Sequence, residues 1–81
     1  MQDVLTLQDL PMGQMGEIVD LSEEHKQAIY QEFGASVGMT VMILHKAVDW
    51  LVQIGYSQVD MGSKYLKHIK VRPVTLYKSE K

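Results

Sequence analysis

The sequence predicts a small, mainly β domain in which short strands form a barrel, with one helix inserted after the first long strand. Short apolar runs separated by turn-forming residues recur along the chain, a pattern typical of small barrels. Residues 23–33 place apolar side chains at the spacing of an amphipathic helix of about three turns. With 81 residues the chain has room for a single domain, which we expect to span residues 1–81 with its core at about 5–76.

A punctuated segment near the N-terminus predicts a tight turn followed by the first strand. Pro11 fixes a backbone angle that suits a turn, and Gly13 and Gly16 reach conformations that other residues avoid. The mixture of apolar and acidic residues over 15–21 then indicates a strand. The glycines lack the Lys-Ser/Thr of a phosphate-binding loop, so the segment predicts architecture rather than chemistry.

The helix predicted at residues 23–33 has a recognisable start and end. Ser22 is a suitable N-cap, and Glu23 and Glu24 would lie in the first turn, where carboxylates favour the helix dipole. Gly34 stands where a C-terminal glycine commonly ends a helix. The apolar positions at helical spacing are Ala28, Ile29 and Phe33.

The rest of the chain predicts short strands and one helical turn. Pro73 lacks a backbone N–H, so it should confine the last strand to an edge of the sheet. This order of elements is that of a small SH3-like β-barrel with an inserted helix. The predicted elements are a strand at 39–46, a hairpin turn at 47–50, strands at 51–54 and 58–61, a helical turn at 63–69 and a final strand at 71–76.

Composition excludes several classes of protein. The chain has no cysteine, which excludes disulfides and thiolate metal sites. Its formal net charge of −2 disfavours nucleic-acid binding, which usually needs a basic excess. No apolar run approaches the roughly 20 residues needed to span a bilayer, and the N-terminus does not resemble a signal peptide. We therefore expect a cytoplasmic protein.

The residues that could carry chemistry do not form a catalytic pattern. The three histidines, His25, His45 and His68, lack the spacing that metal ligation favours. The expectation is therefore no enzymatic activity, no cofactor and no metal site. The alternative is a weak metal contact that pairs His25 with Glu24 or Asp20.

Methionine is abundant for so short a chain. This flexible side chain either fills irregular cores or lines surfaces that accept varied partners, and core filling is the preferred interpretation. The residues concerned are Met12, Met15, Met39, Met42 and Met61.

The position of the inserted helix, together with its flanking residues, resembles the FeoA family of small accessory proteins of bacterial ferrous iron transport. The same domain occurs at the C-terminus of metal-dependent repressors of the diphtheria-toxin-repressor class. The family often has a Gly-Asp-Pro turn between the middle strands, of which only Asp49 is present here. The matching segments are residues 7–13, 16–19, 32–34, 37–41 and 59–71.

The resemblance implies a non-enzymatic regulator that contacts the cytoplasmic GTPase region of the ferrous iron permease, or its inner membrane face. Trp50 falls in a predicted hairpin turn, where it would either project as a contact anchor or fold back over the barrel. We expect it to bind the partner together with Val48 and Tyr56, with Lys64 and Lys67 contributing charge. Exposed strand edges could also pair between copies of the chain, so a homo-oligomer is a further alternative.

Two other interpretations compete with this one. A detached repressor-type domain would act through contacts within or between chains, and we expect no complete repressor because no winged-helix segment precedes Leu5. A small SH3-like interaction or RNA-binding module unrelated to iron transport would need a basic face with an aromatic. Such residues do cluster near the C-terminus: Lys64, Tyr65, Lys67, Lys70 and Arg72.

Overall fold

The computed structural model describes residues 4–74, which form six strands and two short helices. A 3-10 turn, Leu7–Asp9, follows the first strand. The remaining elements, in chain order, are β1 Leu5–Thr6, β2 Met15–Leu21, α1 Lys26–Phe33, β3 Thr40–His45, β4 Trp50–Ile54, β5 Ser57–Met61, α2 Ser63–Leu66 and β6 Ile69–Pro73.

All six strands belong to one antiparallel sheet in the order β1-β6-β2-β3-β4-β5. Strands β2 to β5 follow the chain as a meander, whereas β6 returns to lie between β1 and β2. The mainly β, SH3-like fold and the helix inserted after the first long strand are therefore confirmed.

The prediction that Pro73 confines the last strand to a sheet edge is wrong. β6 pairs with β2 along its whole length and with β1 on its other side. β1 pairs with Lys70 and Val71, and within residues 4–74 no strand lies beside Pro73 on that side, so no described partner there requires a donor from Pro73. The predicted end of this strand, residues 75–76, lies outside the described residues.

One hydrophobic core unites the sheet and both helices. Its buried side chains come from β2 to β6, from the 3-10 turn and from each helix, so no element has a separate core. The fully buried members include Leu7, Ile18, Ile29, Ile43, Val52, Met61, Leu66 and Val71. Only Met61 of the described methionines is fully buried, and Met12 remains 55% exposed, so the core-filling interpretation holds for Met61 and fails for Met12.

The two N-terminal glycines have different roles. Gly13 has a φ of 84°, which confirms the predicted turn role. Gly16 has no positive φ and instead lies where β2 passes closest to its neighbours. A Cβ there would stand 3.2 Å from Leu10 Cδ2 and 3.4 Å from Val71 Cβ.

The helix α1 begins three residues later than the sequence pattern predicts. Residues 23–25 form a turn in which the His25 N–H donates to the Ser22 carbonyl at 2.9 Å, and His25 rather than Ser22 is the N-cap. Gly34 ends the helix at a φ of 70°, as predicted. Glu23 and Glu24 therefore precede the helix and do not occupy its first turn.

The middle strands differ from the prediction at their ends. β4 begins at Trp50, so this residue is in a strand and not in the hairpin turn. Gly55 and Tyr56 alone form the β4–β5 turn, with a positive φ of 60° at Gly55, as expected for a two-residue hairpin with glycine first. No helix within residues 4–74 is long and apolar enough to cross a membrane.

We predict that Gly16→Ser destabilises the protein by about 1–3 kcal/mol, because the added atoms overpack the contact with Leu10 and Val71. Gly62→Ser is the matched control. A Cβ at Gly62 meets only Asp49 Oδ1 at an ordinary 3.5 Å, and serine is a favourable N-cap for α2. Urea unfolding of both variants measures the difference, and equal stabilities would contradict the prediction.

Candidate functional site

The structure separates the residues expected to form one contact patch. Val48 lies in the β3–β4 loop and Tyr56 in the β4–β5 turn, at opposite ends of β4. A five-residue strand spans about 13 Å between its end Cα atoms, so these side chains belong to different surfaces. Both are fully accessible, with exposed fractions of 95% for Val48 and 105% for Tyr56.

Val48 and Trp50 lie beside the start of α2. Trp50 is opposite Met61 in the sheet register, and Gly62 then leads directly into α2. A Cβ on Gly62 would come within 3.5 Å of the Asp49 carboxylate, so the β3–β4 loop and the helix start are in contact range. We call residues 46–50 together with 62–67 the loop–helix surface.

Trp50 packs its side chain against the core and leaves part of it exposed. The Lys46 ammonium nitrogen lies 4.7 Å from the centroid of the indole ring, a cation–π geometry. The sequence left open whether Trp50 projects or folds back, and the structure favours folding back at the border of the core. Trp50 thus anchors the loop–helix surface and does not form its tip.

The second half of this surface carries exposed cations. Lys64 Nζ lies 5.2 Å from the centroid of the Tyr65 ring, and Lys67 is exposed at the C-terminal end of α2. Tyr65 in turn meets Phe33 of α1 edge to face, with ring centroids 5.1 Å apart. The surface therefore combines an exposed valine with three lysines around two aromatic rings.

The predicted basic cluster is smaller than its sequence suggests. Arg72 donates to Glu17 Oε1 at 2.8 Å across the β2–β6 pair, with both side chains about one-third exposed. Its charge is already matched by a neighbouring carboxylate. Of the cluster, Lys64, Lys67 and Lys70 remain as exposed residues.

Two of the three histidines meet, which sequence reasoning missed. The imidazole rings of His25 and His68 stack with centroids 3.8 Å apart and planes inclined by 14°. Ser22 Oγ lies 3.5 Å from His25 Nδ1 at the border of hydrogen-bonding distance. Partial burial, then the charges of His25 and Lys67, lower the pKa of His68 below 6.5, and Glu24 opposes that shift. His45, by contrast, is exposed at the end of β3.

Residues 4–74 contain no group of three or more histidine, aspartate and glutamate side chains placed to hold a metal ion. Asp20, which the sequence paired with His25 as a weak metal contact, accepts the Leu21 backbone N–H at 3.0 Å instead.

An open cavity of about 610 Å³ lies between α1 and the loop that follows it. Leu21 and Ala35 form its buried apolar base, and Tyr30 and Val37 stand exposed at its border. Glu23, Lys26 and Gln27 add polar groups. The cavity is on the side of the molecule that carries α1, apart from the β3–β4 loop.

The chain is similar in structure to solved FeoA proteins. An iron uptake regulatory protein, FeoA, superimposes with a TM-score of 0.78 at 18% identity over 89% of this chain and 99% of that one. FeoA of Stenotrophomonas maltophilia was solved with zinc and described as an SH3 domain protein in connection with ferrous iron transport activation. It gives a TM-score of 0.69 at 20% identity over 83% of this chain and 88% of its own.

A manganese-dependent transcriptional repressor also matches, with a TM-score of 0.77 and 20% identity. The match covers 91% of this chain but only 44% of the repressor, so the chain spans less than half of that protein. No protein-family model and no curated protein sequence matches the chain. These findings establish a FeoA-like, SH3-like domain as the class of fold.

We predict that His68 titrates below 6.5 and that His25→Gln raises its pKa, because the variant removes one of the charges that disfavour the imidazolium. His45→Gln is the control, since its side chain is exposed and lies on another element. NMR titration of the imidazole resonances measures both effects. A His68 pKa that His25→Gln leaves unchanged would contradict the prediction.

Proposed function

We propose that this protein is a non-enzymatic accessory protein of bacterial ferrous iron uptake. On this proposal it is cytoplasmic, forms one domain over residues 1–81 and reaches the inner membrane through its partner. The partner is the GTPase-containing ferrous iron permease, contacted at its cytoplasmic GTPase region or membrane face. The observation that carries the proposal is the FeoA-like fold, which accounts for 99% of the length of one FeoA structure.

The loop–helix surface is the part of the molecule best suited to this contact. Val48 offers an apolar side chain with no competing intramolecular packing, and Trp50 provides a rigid base beside it. Lys46, Lys64 and Lys67 surround them with positive charge. An apolar centre with a charged border is a common arrangement at protein interfaces, and the charge favours an acidic partner surface.

Tyr56 is the second candidate anchor, and it defines a separate surface at the other end of β4. Tyr56 is as fully exposed as Val48, so it is equally accessible to a partner. Only one of the two surfaces needs to contact the partner, so variants at these two positions distinguish them.

We predict that Val48→Glu weakens binding to the soluble GTPase domain of the permease by tenfold or more, which corresponds to about 1.4 kcal/mol. Tyr56→Glu introduces the same charge at an equally exposed residue and should leave binding within about twofold of wild type. Isothermal titration calorimetry with and without guanine nucleotide measures both. Loss of binding in Tyr56→Glu alone would place the contact at the β4–β5 turn and contradict the prediction.

These two exposed positions are better tests than Trp50→Ala, because Trp50 is partly buried in the core border and its loss would also lower stability. Circular dichroism of each variant provides the folding control. If the wild-type protein does not bind the domain with either nucleotide, the permease proposal fails. An SH3-like interaction module outside iron transport is then the better interpretation.

We predict that Lys64→Glu and Lys67→Glu slow association with the GTPase domain and reduce its dependence on salt, because long-range attraction acts mainly on the association rate. Lys26→Glu on α1 is a control with the same change of charge on an element outside the loop–helix surface. Stopped-flow association rates at low and high salt measure the effect. Equal rates in all three variants would exclude charge steering by this surface.

A further inference from the structure

α1 packs against the rest of the domain along one side of the helix. His25, Ile29 and Phe33 are four residues apart, so they lie on the same side of the helix. Ile29 is fully buried, Phe33 packs against the core and Tyr65, and His25 stacks on His68. The other side chains of the helix are exposed. One aliphatic and two ring contacts therefore anchor α1.

The His25–His68 stack is the contact at the N-terminal end of α1. His68 lies between α2 and β6, and its carbonyl oxygen accepts the Ser22 N–H at 3.0 Å. The Ser22 carbonyl then accepts the His25 N–H at 2.9 Å, and the His25 carbonyl accepts the first helical bond from Ile29 at 2.8 Å. A short chain of hydrogen bonds therefore runs beside the stack from the sheet into the helix.

The geometry of the stack suits proton uptake better than chelation. The ring planes are nearly parallel, so the in-plane lone pairs of the two imidazoles run side by side and do not converge on one ion. Two neutral rings at 3.8 Å attract each other, whereas two imidazolium ions at that distance repel. Protonation thus acts directly on one of the three contacts that anchor α1, the one at its N-terminal end.

The charges around the stack are nearly balanced. Glu24 precedes His25, and Lys67 adjoins His68; of the two, the carboxylate favours the imidazolium form of His68 and the ammonium disfavours it. Lys26 follows His25 at the helix start. On the adjoining strands Asp20 lies opposite Lys70 in the register. Of the charges that act on His68, His25 lowers its pKa more than Lys67 does, and Glu24 opposes both.

We propose that the His25–His68 stack is a pH-sensitive clamp, which holds α1 against the α2–β6 junction at neutral pH and releases the helix on acidification. Because the folded-state pKa of His68 is lowered, the unfolded chain binds more protons than the folded one as the pH falls below 6.5. The stabilisation is therefore complete above that value and is lost on acidification through the window beneath it.

Release of α1 would also reshape the cavity beside it. Lys26, Gln27 and Tyr30 line that cavity from the exposed side of the helix. The clamp thus controls the shape of a surface that is distinct from the loop–helix surface.

Amide hydrogen exchange followed by NMR at about pH 7.5 and about pH 5.5 tests the clamp, with each rate expressed relative to the unstructured rate at the same pH. In the wild-type protein the α1 amides, including those of Ile29 and Gly34, should lose protection at the lower pH. The amides of β3 and β4 should keep theirs. His45→Gln should behave like wild type.

Two variants at His68 complete the test. His68→Phe keeps a ring in the stack but cannot take a proton, so α1 should stay protected at both pH values. His68→Gln should give weaker but pH-independent protection of α1. The proposal is wrong if α1 of the wild type keeps its protection at the lower pH, or if His68→Phe loses protection on acidification as the wild type does.

Discussion

The pairing of β2 with β6 is the constraint on which the rest of the structure depends. It joins segments far apart in sequence and places Ile18 opposite Val71 in the centre of the core. The approach is close because Gly16 has no side chain to hold the strands apart. One exposed ion pair, between Arg72 and Glu17, adds about 0.2–1 kcal/mol to a contact whose strength comes from apolar burial.

That pairing also brings the two helices together. The end of β2 leads into the turn before α1, and the start of β6 follows α2, so Ser22 comes within hydrogen-bonding distance of His68. From there the rings of His25 and Phe33 reach His68 and Tyr65. α2 therefore contributes to two surfaces, since Tyr65 contacts Phe33 of α1 and Gly62, at the N-cap of α2, lies near Asp49 of the β3–β4 loop.

Most strands and turns could be predicted from the sequence, but which strands lie next to each other in the sheet could not. β2 was predicted at its observed residues because its apolar pattern is bounded by Gly13 and Ser22, and Gly34 marked the helix end through its left-handed backbone. β1 was missed because two residues carry no periodicity and become a strand only against β6. Likewise Trp50 was placed in a turn because its strand character comes from pairing with Met61.

The candidate sites were harder to predict than the strands, because they depend on contacts between residues far apart in the sequence. β4 begins one residue earlier than predicted and ends at the predicted residue, and it separates Val48 at one end from Tyr56 at the other. No local spacing could indicate the histidine stack, since its two members meet only after β6 has joined the sheet. The FeoA-like fold could be recognised because it rests on the order of turns and a helix along the chain. Local sequence patterns indicate each of these elements.

The position of β6 has a consequence for the order of synthesis. On the ribosome, β2 to β5 emerge before β6 and can form a meander, while the β2 edge that β6 will cover stays open. Neither β1 nor α1 finds its final partner until residues 63–73 have left the exit tunnel. The contacts of β1 and α1 therefore form only after β6 is available, so these two N-terminal elements are completed by residues synthesised much later.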